Sequence, residues 1–146
     1  MADRPVSELV KTGSVDHVET KTTVMDAIRY MAQVRRGAVP VIDGERLVGM
    51  FSERDLMLRV VLAGKDPQST PVGDVMTRDL VVAQADSTHT ECLAKMLKMR
   101  FRHLPVVDGD RLIGLLSVRD LLQTEADQRE QEINMLNYYV HYNPSD

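Results

Sequence analysis

Hydrophobic residues in the first half of the chain alternate between a helical spacing and short apolar runs. The helical spacing occupies one stretch, whose apolar positions are Val24, Ala27, Ile28 and Met31. Residues three and four apart share one helix face, so this stretch predicts an amphipathic helix, capped by Thr23 and ended by Gly37. The apolar runs 38–42 and 47–51 flank an Asp-Gly pair, which predicts a β-hairpin. Ser52 then begins a second helix.

The same order of patterns returns 65 residues later. Residues 38–56 and 103–121 are identical at eleven of nineteen positions, and most other positions exchange one apolar residue for another. A unit of about 60 residues buries too little surface to be stable alone. We therefore predict two copies of one supersecondary unit that pack together about a pseudo-twofold axis.

The repeat divides the chain into four predicted segments. They are the first copy at 5–64, a polar linker at 65–71, the second copy at 72–122, and a C-terminal segment at 123–146. That last segment carries apolar residues at three- and four-residue spacing, namely Ile133, Leu136 and Val140. We predict a C-terminal helix whose apolar stripe docks on the domain or on a partner.

Composition restricts the class of protein. A hydrophobic share of 43% is sufficient for a globular core, and a net charge of −4 argues against a surface for nucleic acids. No apolar run approaches the roughly 18 residues of a membrane span, and the N-terminus lacks the pattern of a signal peptide. The single cysteine, Cys92, cannot form an intrachain disulfide, and the four histidines show no metal-ligand spacing. We expect a cytoplasmic protein without a metal site and without nucleic-acid or membrane partners.

One motif at the end of each hairpin carries candidate binding chemistry. Its two copies read Gly49-x-x-Ser52-Glu53-Arg54-Asp55 and Gly114-x-x-Ser117-Val118-Arg119-Asp120. A helix N-terminus and an arginine suit a phosphate group, and a carboxylate can accept hydrogen bonds from both ribose hydroxyls. The structural alternative is a capping box, which stabilises a helix end by about 1 kcal/mol without a ligand. The two roles can coexist in one motif.

These features together resemble a known family. Two β-α-β-β-α units, Pro-Val-Val/Ile-Asp-Gly hairpins, the Gly-x-x-Ser-x-x-Asp motifs and an Asp-Val-Met-Thr stretch resemble a tandem pair of cystathionine β-synthase (CBS) domains over residues 5–122. The resemblance implies an α/β (α+β) fold of two repeats packed sheet to sheet about a pseudo-twofold axis, and a flat homodimer. It also implies clefts that bind AMP, ADP, ATP, NAD(H) or S-adenosylmethionine, with no catalysis and no required cofactor.

The resemblance also assigns site residues to two clefts between the repeats. The ribose acceptors are Asp55 and Asp120. The residues on the phosphate side are Ser52, Arg54, Ser117, Arg119, Arg102 and His103. Adenine contacts are expected from Asp16, His17, Val18, Gly37, Ala38 and Val39 opposite Asp120, and from Leu80, Val81 and Leu104 opposite Asp55. A second phosphate is expected in the cleft of Asp55, because Arg102 and His103 are assigned to it.

Three classes of function follow from these residues. The leading hypothesis is a regulatory module that senses an adenine nucleotide and signals to an unidentified protein, since Arg precedes Asp in both motifs. The second is a constitutive dimeric scaffold with empty clefts. The third is a small enzyme, for which we find no constellation of nucleophile, base or metal.

Overall fold

A six-stranded sheet runs through the computed structural model, which describes residues 4–10, 15–99 and 102–141. Its strands are β1 (Val18–Glu19), β2 (Ala38–Asp43), β3 (Arg46–Ser52), β4 (Ala83–Gln84), β5 (His103–Asp108) and β6 (Arg111–Ser117). Their order is β1-β2-β3-β6-β5-β4, so the two halves are related by a pseudo-twofold axis between β3 and β6. Within the sheet, β3 and β6 pair antiparallel at Arg46 and Arg111, a link between the halves that the sequence did not predict.

Each half is built around the predicted hairpin. In both, an Asp-Gly turn connects antiparallel strands, and a short outer strand pairs in parallel with the first of them. Gly44 and Gly109 have φ of +67°, in the left-handed region that favours glycine at this turn. The outer strands are short, because only Val18–Glu19 and Ala83–Gln84 pair regularly.

Four helices cover the sheet. They are α1 (Val24–Val34), α2 (Glu53–Asp55), α3 (His89–Met99) and α4 (Val118–His141), with a π-helical continuation of α2 at Leu56–Val61. Thr23 caps α1 as predicted, since its Oγ1 accepts from Asp26 N at 3.2 Å. The prediction that Gly37 ends α1 is wrong. Arg35 takes the left-handed conformation at φ 58° and its N–H bonds to the Met31 carbonyl, so the helix closes earlier.

The core is divided into two clusters. The segment before the first strand of each repeat, which we call its lead-in, completes the cluster of the other repeat. Val6, in a 3-10 turn at Val6–Glu8, is fully buried in the cluster of the second half. Val72, in the matching turn at Val72–Asp74, is fully buried in the cluster of the first half. Backbone bonds of 2.7 Å hold both turns, from Val6 N to Ser87 O and from Val72 N to Thr22 O. Each repeat therefore depends on the other for a closed core.

The C-terminal helix is continuous with the last helix of the second repeat. The sequence placed a boundary after residue 122, whereas α4 runs unbroken for 24 residues because no Gly or Pro interrupts it. The stripe residues Ile133, Leu136 and Val140 are 57%, 64% and 69% exposed. Docking of this stripe on the chain's own domain is therefore wrong. Within the described ranges, no helix is long and apolar enough to cross a bilayer.

Candidate functional site

The repeated motif forms a capping box in both copies. Ser52 N donates to Asp55 Oδ2 at 3.0 Å, and Asp55 N donates to Ser52 Oγ at 3.2 Å. Ser117 N donates to Asp120 Oδ2 at 3.0 Å, and Asp120 N donates to Ser117 Oγ at 3.0 Å. Both motifs therefore cap a helix, and each cap uses only one oxygen of the aspartate carboxylate. The second oxygen, Oδ1, decides whether either aspartate has a further role.

The glycine of each motif lets a lead-in segment cross the sheet beside the aspartate. A methyl group at Gly49 would overlap the side chain of Met76, and one at Gly114 would overlap that of Val10. Met76 and Val10 both follow a 3-10 turn, at equivalent places in the lead-ins of the two repeats. The glycines are therefore required by close approach, and they bring each lead-in next to one motif.

An open cavity of about 510 Å³ surrounds Asp120, and we call it the Asp120 cleft. Its lining consists of Leu9, Val10, Val15, Asp16 and Arg36 from the first half and lead-in, and Gly114, Leu115, Leu116, Asp120, Gln123 and Thr124 from the second. Asp120 is exposed, and no hydrogen bond or ion pair from the described part of the chain reaches its Oδ1. A cavity of this size, lined by apolar side chains together with charged and polar ones, suits a small organic ligand that carries polar groups.

Arg36 supplies positive charge to this cleft and is held in place by Asp16. Their Nε and Oδ2 atoms are 2.8 Å apart, and Tyr30 Oη donates to Asp16 Oδ1 at 3.2 Å. The hydrogen bond from Arg36 is the largest influence on the pKa of Asp16 and lowers it, while burial opposes. Burial, helped by the charge on Asp16, raises the pKa of Tyr30. Asp16, expected to contact adenine, is thus engaged in positioning Arg36.

His103 lies with the charges of the Asp120 cleft. It begins β5 opposite Ser117, so strand pairing keeps it beside the motif of its own repeat. Burial is the main cause that lowers the pKa of His103; the Arg36 charge lowers it further and Asp120 opposes. The expectation that His103 faces Asp55 is therefore wrong. Arg102 is exposed, and its carbonyl accepts from Val118 N at 3.1 Å at the start of α4.

The position around Asp55 is closed by the protein's own side chains, and we call it the Asp55 cleft. Asp55 is only 6% exposed. Its Oδ1 accepts from Thr77 Oγ1 at 3.0 Å and lies 3.7 Å from Arg59 Nε, while its Oδ2 also accepts from Ser52 Oγ at 3.1 Å. Arg59 Nη1 donates to the Met76 carbonyl at 2.9 Å. Both oxygens of this carboxylate are therefore occupied.

Several residues predicted to contact adenine opposite Asp120 serve local structure. His17 Nδ1 lies 2.6 Å from the Val15 carbonyl oxygen, and Val18 is buried in β1. Ala38 and Val39 begin β2, and Val39 is fully buried. Gly37 lies against Glu53, whose carboxylate would be 3.2 Å from an added methyl group. None of these five lines the Asp120 cleft.

The residues predicted to contact adenine opposite Asp55 also lie in different surroundings from one another. Leu80 lines a different cavity of about 450 Å³ near the hairpin turns, together with Arg46 and Arg78. Val81 packs on the core of the second half, and Leu104 is fully buried there. The two motif arginines, Arg54 and Arg119, are exposed.

Sequence reasoning missed four polar residues that decide the character of the clefts, namely Tyr30, Arg36, Arg59 and Thr77. A signal existed for some of them. Arg59 follows Asp55 by four residues, the spacing at which a helical ion pair forms. Thr77 ends the Asp-Val-Met-Thr stretch noted in the sequence.

Comparison with known proteins decides the family. A CBS domain family matches residues 6–62 and again 72–127. The chain belongs to the CBS domain family. Its two CBS domains form a pair, as the sequence predicted from the repeat.

Curated relatives of this CBS pair occur in plants and bacteria. The chain is 30% identical over 126 residues to the mitochondrial CBS domain-containing protein CBSX3 of Arabidopsis thaliana, covering 83% of this chain and 61% of the relative. It is 34% identical over 110 residues to YhcV of Bacillus subtilis, covering 75% of this chain and 78% of the relative. It spans only 21% of the longer Arabidopsis protein CBSCBSPB2. The chain thus matches less than two thirds of some relatives.

Solved structures share the fold over most of the chain. A CBS-domain protein of Burkholderia ambifaria, described as a putative signal-transduction protein, has a TM-score of 0.73 at 36% identity, covering 86% of this chain and 96% of that one. The structure of CBSX2 in complex with AMP has a TM-score of 0.74 at 26% identity, covering 86% and 98%.

Proposed function

We propose that this CBS pair is a non-catalytic regulatory module that binds an adenosyl ligand in the Asp120 cleft and passes its occupancy to a protein partner. The observation that carries the proposal is Asp120 itself. Asp120 lines an open cavity between the repeats; its Oδ2 completes the cap of α4, and its Oδ1 has no partner among the described residues. A carboxylate in this arrangement is suited to a ribose, whose two hydroxyls both donate hydrogen bonds.

The rest of the cleft suits the other parts of an adenosyl ligand. Val10, Val15 and Leu116 offer apolar surface to the adenine ring. Arg36 and the N-terminus of α4 offer positive charge to a phosphate. The AMP complex of CBSX2 supports this class of ligand for a related fold.

We favour a nucleoside monophosphate over ligands with longer phosphate chains. Arg36 is the single cation among the described lining residues, and Asp16 already neutralises part of its charge. Its guanidinium can donate to one phosphate group, whereas a triphosphate would bring several negative charges near Asp16 and Asp120. AMP therefore fits the charge of this cleft better than ATP.

Calorimetric titration with AMP tests the proposal. Asp120→Asn keeps an oxygen for the cap but removes the charge, and we expect it to weaken AMP binding at least tenfold, about 1.4 kcal/mol. Glu132→Gln, at an exposed position further along the same helix, is the matched control and should bind AMP like the natural chain. A screen in which AMP, ADP, ATP, NADH and S-adenosylmethionine leave the melting temperature unchanged would instead favour the ligand-free scaffold.

We also propose that the module acts as a homodimer. The π-helical segment and the residue after it present Met57, Val61 and Leu62 at 53%, 65% and 73% exposure, and α4 presents Leu122 at 47%. Several large apolar side chains exposed on these helices favour an interaction site at this part of the chain. Light scattering coupled to size exclusion should give twice the chain mass, and Leu62→Glu should reduce it. A monomer at micromolar concentration would contradict this proposal.

A further inference from the structure

We propose that Arg59 acts as a built-in occupant of the Asp55 cleft, so that each chain holds one adenosyl ligand although it carries two copies of the motif. This inference rests on the proposed function of the Asp120 cleft. It adds a residue that decides which of the two motifs is available and how many ligands bind.

Arg59 makes the contacts that a ligand would need. Its Nε lies 3.7 Å from Asp55 Oδ1, the oxygen equivalent to the one that Asp120 leaves open. Its Nη1 donates to the Met76 carbonyl at 2.9 Å, which joins the motif to the lead-in of the second repeat. Thr77, the next residue of that lead-in, donates to the same Oδ1 at 3.0 Å. The guanidinium therefore spans the space between the two repeats.

The second repeat has a short side chain at the equivalent position. Thr124 follows Arg59 by 65 residues, the period of the repeat. Its Oγ1 donates to the Asp120 carbonyl at 3.0 Å, so it folds back on its own helix and makes no contact with the carboxylate. Thr124 lines the open Asp120 cleft. The copy with arginine at this position has the closed cleft, and the copy with threonine has the open one.

A ligand entering the Asp55 cleft must first displace these contacts. The bond from Thr77 to Asp55, the bond from Arg59 to the Met76 carbonyl and the ion pair of Arg59 with Asp55 would be broken before a ribose could reach Oδ1. The bond from Thr77 to the buried carboxylate is charge-assisted, so the ligand competes with internal partners for Oδ1. Its apparent affinity equals the affinity for the open cleft multiplied by the fraction of chains in which the arginine is displaced. The Arg59 side chain is 52% exposed, which leaves it room to swing into solvent when it is released.

Exchanging the two residues tests the inference. We expect native mass spectrometry with AMP to show one ligand per natural chain, two per Arg59→Thr chain and none per Thr124→Arg chain. The double exchange should again bind one ligand, and adding Asp55→Asn should abolish it. Arg59→Met, which keeps an unbranched apolar stem, replaces Arg59→Thr if that variant melts much earlier than the natural chain.

The outcomes separate this inference from the proposed function. One ligand per natural chain and still one per folded Arg59 variant would overturn the role of Arg59 while leaving the Asp120 site in place. Two ligands per natural chain would also overturn it. No ligand on the natural chain but one on Arg59→Thr would support Arg59 as an occupant and remove the Asp120 site. No ligand on either protein would reject both.

Discussion

The Asp55 cleft and the Asp120 cleft contain the same motif with the same cap, yet their aspartates have different surroundings. The Asp55 side chain is buried and bonds to Ser52 and Thr77 beside Arg59, whereas Asp120 is exposed and its carboxylate bonds to Ser117 alone among the described residues. The motif therefore does not decide whether a cleft is open. Residues outside it, on the next helical turn and on the lead-in of the other repeat, decide this.

The difference also shows how a duplicated unit can divide its tasks. In the first copy the carboxylate joins two repeats and contributes to stability. In the second it completes a cap, and its other oxygen has no partner among the described residues. Buried polar groups with all partners satisfied stabilise a fold, while an exposed and unpaired acceptor does so much less.

The largest expected effect compares the two aspartates directly. Asp55→Ala removes the partner of Thr77 and Arg59 as well as the cap, and we expect it to lower the free energy of unfolding by about 2–3 kcal/mol. Asp120→Ala removes only a cap, which costs about 1 kcal/mol. Urea denaturation of both variants measures the difference. Equal losses would show that the contacts around Asp55 contribute nothing beyond the cap.

Substitution of the motif glycines should have the next largest effect on stability. Gly49→Ala and Gly114→Ala force a methyl group into Met76 and Val10, and overpacking of this kind costs about 1–3 kcal/mol. Val10 is branched and stiff, and at Gly49 the methyl group would also meet the Thr77 carbonyl oxygen at 2.9 Å, a backbone atom that cannot turn aside, so we expect a loss at both positions. Thermal melting ranks the two variants. A harmless Gly114→Ala would mean that the lead-in moves away freely.

A smaller effect concerns the ion pair of the open cleft. Asp16 and Arg36 are each 35% exposed, so Arg36→Gln should lower the free energy of unfolding by only about 0.2–1 kcal/mol. Its effect on AMP affinity should be larger than this, because Arg36 is the cation that we propose for binding the phosphate. Calorimetry and urea denaturation of the same variant separate the two quantities. A loss confined to stability would assign Arg36 a structural role only.

The smallest expected effect is a pH dependence that belongs to the open cleft. The pKa of His103 is lowered, mainly by burial, so below its ordinary value of 6.5 the unfolded chain binds a proton that the folded chain does not. Stability should therefore fall as pH drops from 6.5 towards the folded pKa, and level off below it. Comparing His103→Gln with the natural chain between pH 7 and 5 isolates this contribution. Identical pH profiles for the two proteins would remove His103 as the cause.

Much of the fold was predictable because its signals are local. The hairpins follow from Asp-Gly turns between apolar runs, and the helix caps follow from residues three apart, as Thr23 with Asp26 and Ser52 with Asp55 show. The end of α1 was less predictable. Arg35 adopts a conformation that usually favours glycine, while Gly37 is needed where the chain approaches Glu53. Local propensity alone could not separate these two roles.

By itself, the sequence determined that the chain consists of two similar units, that each has a capped helix after its hairpin, and that the motif is duplicated. Those features depend on neighbours a few residues apart, so they can be seen in one stretch of chain. Only the tertiary structure decided that each lead-in packs on the other repeat, that His103 lies near Asp120, and that Asp55 is buried by side chains of the protein itself. These depend on side chains from distant segments, such as Arg59 and Thr77, that meet at one carboxylate after the repeats have packed.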